Sequence, residues 1–325
     1  MKGSIPMLKF LRWTLVGAAL AIGASQVQAA DKPEVVRITY VASPFNVPSI
    51  VMRAKGYLEE AFRPFNIRVE SPEITSGAQQ VQAIAAGEIQ IASVLGGASA
   101  ILGKANGADL TVIGAYSRSP KAFTIMAQAS GPSSVAELKG KTIAGPKGTT
   151  LHQLLAAALA KEGLTLNDVN HVNMDLGAAR AALLAGKVDA ALLAGNNALV
   201  VEQAGGKMIV TGANLFAPTT VIAVRSHFLK DHPDLVAAYL NAHDKALTFM
   251  KEQPEEALRL AAEEQKISMD DARRMFPWYD FDPRMTDKDV ANLGEEQAFM
   301  VSSGMLKKTI DIKADLIAPL AFQAR

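Results

Sequence analysis

Lys147, Gly148, Thr149 and Thr150 stand between a short apolar run, Thr142, Ile143 and Ala144, and a segment in which Leu151, Leu154, Leu155, Ala158 and Leu159 recur at helical spacing. That order, strand then glycine turn then hydroxyl then helix, leaves several backbone N–H groups free at one point, and the helix dipole adds to them. The chemistry it suits is recognition of an anion or another hydrogen-bond acceptor. The dipole contributes about 0.3–1 kcal/mol at an exposed helix end and up to ~2 kcal/mol when the site is partly buried. His152 falls in the first turn of the helix and is a candidate contact, and Lys147 and Arg118 are the nearest candidate cations. A lone Gly-Thr helix start usually serves only as a cap. Here the device recurs. Thr75-Ser76-Gly77 precedes a helical pattern through Val81 and Ile84, and Gly96-Gly97 follows an alternating strand over residues 89–94. Gly195-Asn196-Asn197 follows a second such strand.

Other chemistry finds little support. The chain has no cysteine, which removes disulfides, thiolate metal sites, cysteine nucleophiles and a lipid anchor on cysteine. The net charge is +1 over 325 residues and no Lys/Arg-rich block occurs, so no nucleic-acid partner is expected. Residues 97–105 miss the phosphate-binding loop pattern by one position, and Ala105 stands where a magnesium-binding hydroxyl belongs. His227 and His232 lack the spacing that puts two ligands on one helix face. No triad or paired-carboxylate pattern is present, and neither a metal nor a cofactor is expected. Phe276-Pro277-Trp278-Tyr279 either packs the C-terminal helices or projects into a cleft.

The elements that must position these turns follow from hydrophobic periodicity. Lys2, Lys9 and Arg12 precede an apolar run over 15–24, and Val27-Gln28-Ala29 fits a small-residue cleavage site. Residues 1–29 therefore read as an export signal cleaved near Ala29, too short in its apolar part to span a bilayer. Strand, turn and helix then alternate, which predicts a largely parallel sheet with helices on its faces. An internal echo relates Ala85-Ala86-Gly87-Glu88-Ile89-Gln90-Ile91-Ala92 to Leu184-Ala185-Gly186-Lys187-Val188-Asp189-Ala190-Ala191 and points to two related α/β lobes. From Phe228 onward the pattern is helical, with starts at Pro233, Ser268 and Thr286, and is expected to pack on the outside of one lobe.

In order along the chain, Ala54-Lys55-Gly56-Tyr57-Leu58, Ala86-Gly87-Glu88-Ile89-Gln90, Ala136-Glu137-Leu138-Lys139-Gly140-Lys141 and Ala185-Gly186-Lys187-Val188-Asp189-Ala190 resemble the periplasmic solute-binding proteins of ABC importers, of the aliphatic sulfonate, taurine and nitrate type. The resemblance implies an α/β, two-lobed periplasmic binding protein fold. Lobe one would span 35–115 plus 220–325, with the helical tail packed on it, and lobe two 122–213. The hinge crossings would fall at 116–121 and 214–219. It implies a small-molecule ligand held between the lobes, an ABC permease with its ATPase as partner, a monomer without a covalent membrane anchor, a periplasmic location and no enzymatic activity.

In open α/β sheets ligands bind beyond the carboxyl ends of the strands. With the family pattern, that rule selects Phe45 and Asn46, Thr75, Ser76 and Gly77, Gly96 and Gly97, Gly148, Thr149 and Thr150, His152, Asn196 and Asn197, and Thr219 at the hinge. Family members commonly carry an aromatic residue and a proline where this chain has Ala194-Gly195-Asn196-Asn197, so the usual sulfonate or nitrate preference is in doubt. Sulfonate, nitrate, taurine, an aromatic carboxylate and a thiamine-precursor pyrimidine all stay open as ligands. Two other readings are an exported enzyme related to the pyrimidine synthases that share this fold, and a solute receptor for signalling. The missing cysteine-rich segment and the export signal count against the enzyme.

Overall fold

The computed structural model describes Met1, Gly3 and residues 32–323, so the rest of the expected export signal and its cleavage point lie outside the described residues. Among the described residues no helix is long and apolar enough to cross a membrane.

The first lobe opens with β1 (Val35–Arg37), helices α1 (Val47–Ala54) and α2 (Tyr57–Phe62), and β2 (Arg68–Glu70). It continues through α3 (Gly77–Ala86), β3 (Ile91–Gly96), α4 (Gly97–Ala105) and β4 (Leu110–Arg118). The chain then enters a second sheet with β5 (Phe123–Ala127), followed by β6 (Thr142–Gly145), α5 (Thr150–Lys161) and β7 (Asn170–Asn173). α6 (Leu176–Leu184), β8 (Ala190–Ala194), α7 (Asn196–Gln203) and β9 (Lys207–Thr211) complete that lobe. The chain returns to the first sheet in β10 (Thr219–Arg225) and ends in α8 (Ser226–Asp231), α9 (Pro233–Glu252), α10 (Pro254–Gln265), α11 (Met269–Met275) and α12 (Asp287–Ser302).

The two sheets share one plan. β1 pairs with β2, and a parallel bridge from Ile38 to Ile91 joins that pair to the β3-β10-β4 sheet. The resulting order, β2-β1-β3-β10-β4, matches β7-β6-β8-β5-β9 in the second lobe. The internal echo occupies equivalent places: α3 feeds β3 through Gly87 at φ +75°, and α6 feeds β8 through Gly186 at φ +65°. Both glycines hold the left-handed conformation that ends a helix at little steric cost.

The sheets are less parallel than the alternation predicts. β10 runs antiparallel to β3 and β4, and β5 runs antiparallel to β8 and β9. Each is the first strand after the chain changes sheet. A strand arriving from the other lobe enters at the end where its neighbours leave, so its direction is reversed.

The helical tail does more than cover one face. α9 starts at Pro233, where a missing N–H costs nothing, and buries Leu235, Tyr239, Ala246 and Phe249 against the core that includes Val51 and Phe62. A buried side chain of the size of Leu235 or Phe249 contributes about 1.5–3 kcal/mol. Tyr279 lies on Phe45 with ring centroids 5.9 Å apart and stacks on Phe281 at 5.6 Å, and Trp278 is half-buried beside them. The aromatic cluster thus packs the tail. α12, capped by a reciprocal Thr286–Asp289 pair, turns back against α4.

Candidate functional site

β6 ends at Gly145, whose missing side chain lets Leu192 of β8 pass: a Cβ there would lie 2.5 Å from the Leu192 Cβ. The turn that follows places Gly148 at φ +70° and Thr149 at the helix start. Thr149 does not cap α5. Its hydroxyl donates to the Pro146 carbonyl at 2.9 Å and makes no capping bond to the first amides of the helix. The Gly148 N–H donates to His152 Nδ1 at 3.2 Å. A neutral imidazole accepting at Nδ1 carries its proton on Nε2, so His152 presents a donor. Burial, with the nearby His171 and Lys147 charges, lowers the His152 pKa to about 4. The ring lies 4.9 Å from His171 and edge-on to Phe299 at 6.4 Å, centroid to centroid.

Facing this turn is the start of α4. It also lacks a side-chain cap from its N-cap residue, Gly96. A Cβ on Gly96 would lie 3.8 Å from Thr150 Oγ1, so the two lobes come close here. Gly97 touches α12: a Cβ would meet Leu293 Cδ2 at 2.5 Å, Glu296 Oε2 at 2.6 Å and the Thr219 carbonyl at 2.9 Å.

Between the two helix starts is a cavity of about 350 Å³. Lys147, Gly148, Thr149, His152 and Gln153 line it from the second lobe. Ala98 and Leu102 of α4, Glu296, Phe299 and Met300 of α12, and Met305 line it from the first. The wall is mainly apolar with a few polar groups, as small-molecule sites are. Glu296 is 3% exposed, and burial pushes its carboxyl up to about 8 despite a hydrogen bond from the Ala98 amide. Its Oε1 and the Gln153 Oε1 are buried without a hydrogen-bond partner among the described residues.

The predicted residues divide accordingly. Gly148, Thr149 and His152 line the cavity; Thr150 and Gly96 face each other at its edge, and Gly97 backs Glu296. Gly77 holds α3 against α4, where a side chain would collide with Ser99, while Thr75 and Ser76 are exposed and Ser76 caps α3 through Gln79. Thr219 is buried behind Gly97.

Phe45 is fully buried under Tyr279 rather than walling the cavity, and the Asn46 amide is spent on the Val41 and Ser43 carbonyls. Asn196 and Asn197 do not line the cavity. Asn196 Nδ2 reaches the Gln265 carbonyl at 3.5 Å, and Asn197 accepts from Arg180 at 3.0 Å. Arg118 is bound to Asp289 and to the Asp282 and Arg284 carbonyls, so among the two candidate cations Lys147 is the one at the cavity. Among the described residues no group of three or more His, Cys, Asp or Glu could hold a metal ion.

Glu296 is absent from the sequence expectations, although a signal was available. It stands three residues after Leu293 and three before Phe299, a charged residue on the inward stripe of α12.

The sequence pattern of the NMT1/THI5-like family matches residues 44–257. The chain belongs to that family. A Bacillus subtilis (strain 168) protein named for the binding of aliphatic sulfonates is 30% identical over 271 residues, covering 82% of this chain and 81% of its own. An Escherichia coli (strain K12) protein similarly named is 25% identical over 326 residues, covering 98% and 99%. Both are named for binding rather than catalysis. Among solved structures, the alkanesulfonate-binding protein SsuA of Xanthomonas axonopodis pv. citri bound to MOPS superposes with a TM-score of 0.80 at 22% identity, over 89% of this chain and all of the other. The periplasmic aliphatic sulphonate binding protein SsuA of Escherichia coli gives 0.76 at 22% identity, over 90% and 95%. This family member thus has the fold of the periplasmic binding proteins.

Proposed function

We propose that the protein is the periplasmic solute-binding component of an ABC importer. It captures a small organic solute with an apolar body and a polar or anionic end, and delivers it to a membrane permease. The observation that carries this reading is the cavity itself, whose walls come from both lobes: Gly148, Thr149 and His152 from one, Ala98, Glu296 and Phe299 from the other. A solute touching both walls binds the closed arrangement better than an open one and shifts the population toward it. The hinge in this reading is the pair of segments at 116–121 and 214–219, where the chain changes sheet. The names of the sulfonate-binding relatives support an organosulfonate as the solute. Lys147 and the uncapped start of α5 would take the anionic end, and Phe299, Met300, Met305 and Leu102 the body.

Thermal-shift titration of residues 30–325 against alkane- and arylsulfonates, nitrate and aromatic carboxylates tests it. A ligand at about one hundred times its Kd adds ~2.7 kcal/mol to the folded state and raises Tm. The reading fails if no organic anion shifts Tm, or if shifts persist unchanged when Phe299→Arg fills the cavity.

A further inference from the structure

The start of α4 looks like a second anion site, yet the chain has placed its own carboxyl there. Glu296 reaches across from α12, receives the Ala98 amide, and occupies the space that Gly97 leaves by having no side chain. Its Oε1 is buried and unpartnered among the described residues, and the residue lines the cavity. A buried polar atom without a partner costs about 1–3 kcal/mol, which a ligand group can recover.

The other polar groups around the cavity share one character. Lys147 brings an ammonium, and His152, with Nδ1 occupied by the Gly148 amide, brings Nε2–H. Gln153 brings an amide that can donate or accept. A carboxylate among these would repel the acceptor that the donors invite. A carboxylic acid would not: with one oxygen taking the Ala98 amide, it turns an O–H toward the cavity.

We propose that Glu296 is the specificity-determining contact of this site, a carboxylic acid whose buried Oε1 donates a hydrogen bond to an acceptor oxygen of the bound organic anion. The proposal rests on the solute-binding reading above and adds proton linkage to it: the anion binds the protein that carries the Glu296 proton. Burial favours that form, holding the carboxyl protonated up to about pH 8. The titratable side chains sharing the cavity are Lys147 and His152, with His171 behind His152. His152 is already neutral well below this range.

The test uses hexanesulfonate, whose charge does not change across the range. Calorimetric titrations run from about pH 6 to about pH 9.5 on the wild-type protein and on Glu296→Gln, which keeps a donor but cannot ionise. The expected wild-type Kd is flat to about pH 8 and then rises about tenfold per pH unit, roughly 30-fold in all. Glu296→Gln binds with a flat profile. Infrared difference spectra at about pH 7 supply a second readout: ligand addition perturbs a protonated-carboxyl band in the wild type and not in the variant. The same alkaline slope in both proteins, or hexylamine binding more tightly as pH rises, would overturn the role of Glu296 and leave the cleft as the binding site. No hexanesulfonate binding by either protein at any pH would overturn both readings.

Discussion

Arg118 and Asp289 form a two-pronged pair, with Nε 2.6 Å from Oδ1 and Nη2 2.7 Å from Oδ2. Arg118 closes β4, the last strand before the chain changes lobes, and Asp289 belongs to the first turn of α12. The pair therefore ties the crossing to the helix that carries Glu296. Two tail carbonyls, Asp282 and Arg284, accept two of the three remaining guanidinium hydrogens, and the Asp289 side chain is 1% exposed.

Removing one partner should leave the other charged and desolvated. Arg118→Met is expected to cost about 3–5 kcal/mol in urea denaturation, and R118M with Asp289→Leu less than the sum of the two single losses. Burial raises the Asp289 carboxyl, but the Arg118 and Thr286 hydrogen bonds more than offset it and hold it below the usual range. Its contribution is present above the unfolded value of about 3.9 and is lost as pH falls through the lower folded value. Simple additivity in the cycle would show that the pair is solvated and weak.

Gly97→Ala should disturb the cavity without touching it directly. The new Cβ would meet Leu293, the Glu296 carboxyl and a backbone oxygen at 2.5–2.9 Å. Overpacking of this kind costs about 1–3 kcal/mol. The Glu296 carboxyl must also move off the Ala98 amide. Chemical denaturation reads the first effect, and a weaker Kd for hexanesulfonate reads the second; wild-type values for both would mean that α12 yields freely here.

Glu296 should make the protein less stable in alkali. Its folded pKa of about 8 lies above its unfolded value, so its contribution is full at low pH and is lost as pH rises from the unfolded value through about 8. The slope is at most about 1.4 kcal/mol per pH unit over that interval. Stability curves of wild type and Glu296→Gln should converge toward about pH 4, separate in favour of the variant up to about pH 8, and run parallel above that. Curves parallel throughout would place the carboxyl in water.

His152 should act at the opposite end. Its folded pKa of about 4 lies below the unfolded value, so the neutral ring stabilises above about pH 6.5 and that stability is lost as pH falls toward 4. His152→Gln, compared by denaturation at several pH values, is expected to flatten this acid limb, leaving the part that belongs to His171. An unchanged acid limb would rule out a buried neutral His152.

Much of the scaffold was legible. Asp175 caps α6 by accepting the Ala178 amide, Thr286 caps α12, and the echoed glycines end equivalent helices, because capping and glycine stops are local events. That Gly148, Thr149 and His152 come together on one cavity wall was legible for the same reason: a strand, a turn and a helix start lie within ten residues. Phe45 and Asn46 look identical to site residues in the sequence, since both follow the first strand. Only the aromatic layer from Tyr279 settles that Phe45 is core. Asn196 and Asn197 lie at a strand end as predicted, but they do not line the cavity, because their side chains turn to the Gln265 carbonyl and to Arg180.

Sequence alone determined the class of architecture, the order of the elements and one of the two walls of the cavity, because each depends on periodicity and turn chemistry within short windows. The tertiary structure decided which wall faces it. Nothing near Glu296 in the chain announces that its carboxyl will end at the start of a helix that begins two hundred residues earlier. That placement follows from the packing of α12 on α4, and with it comes the desolvation that raises the pKa of the Glu296 carboxyl.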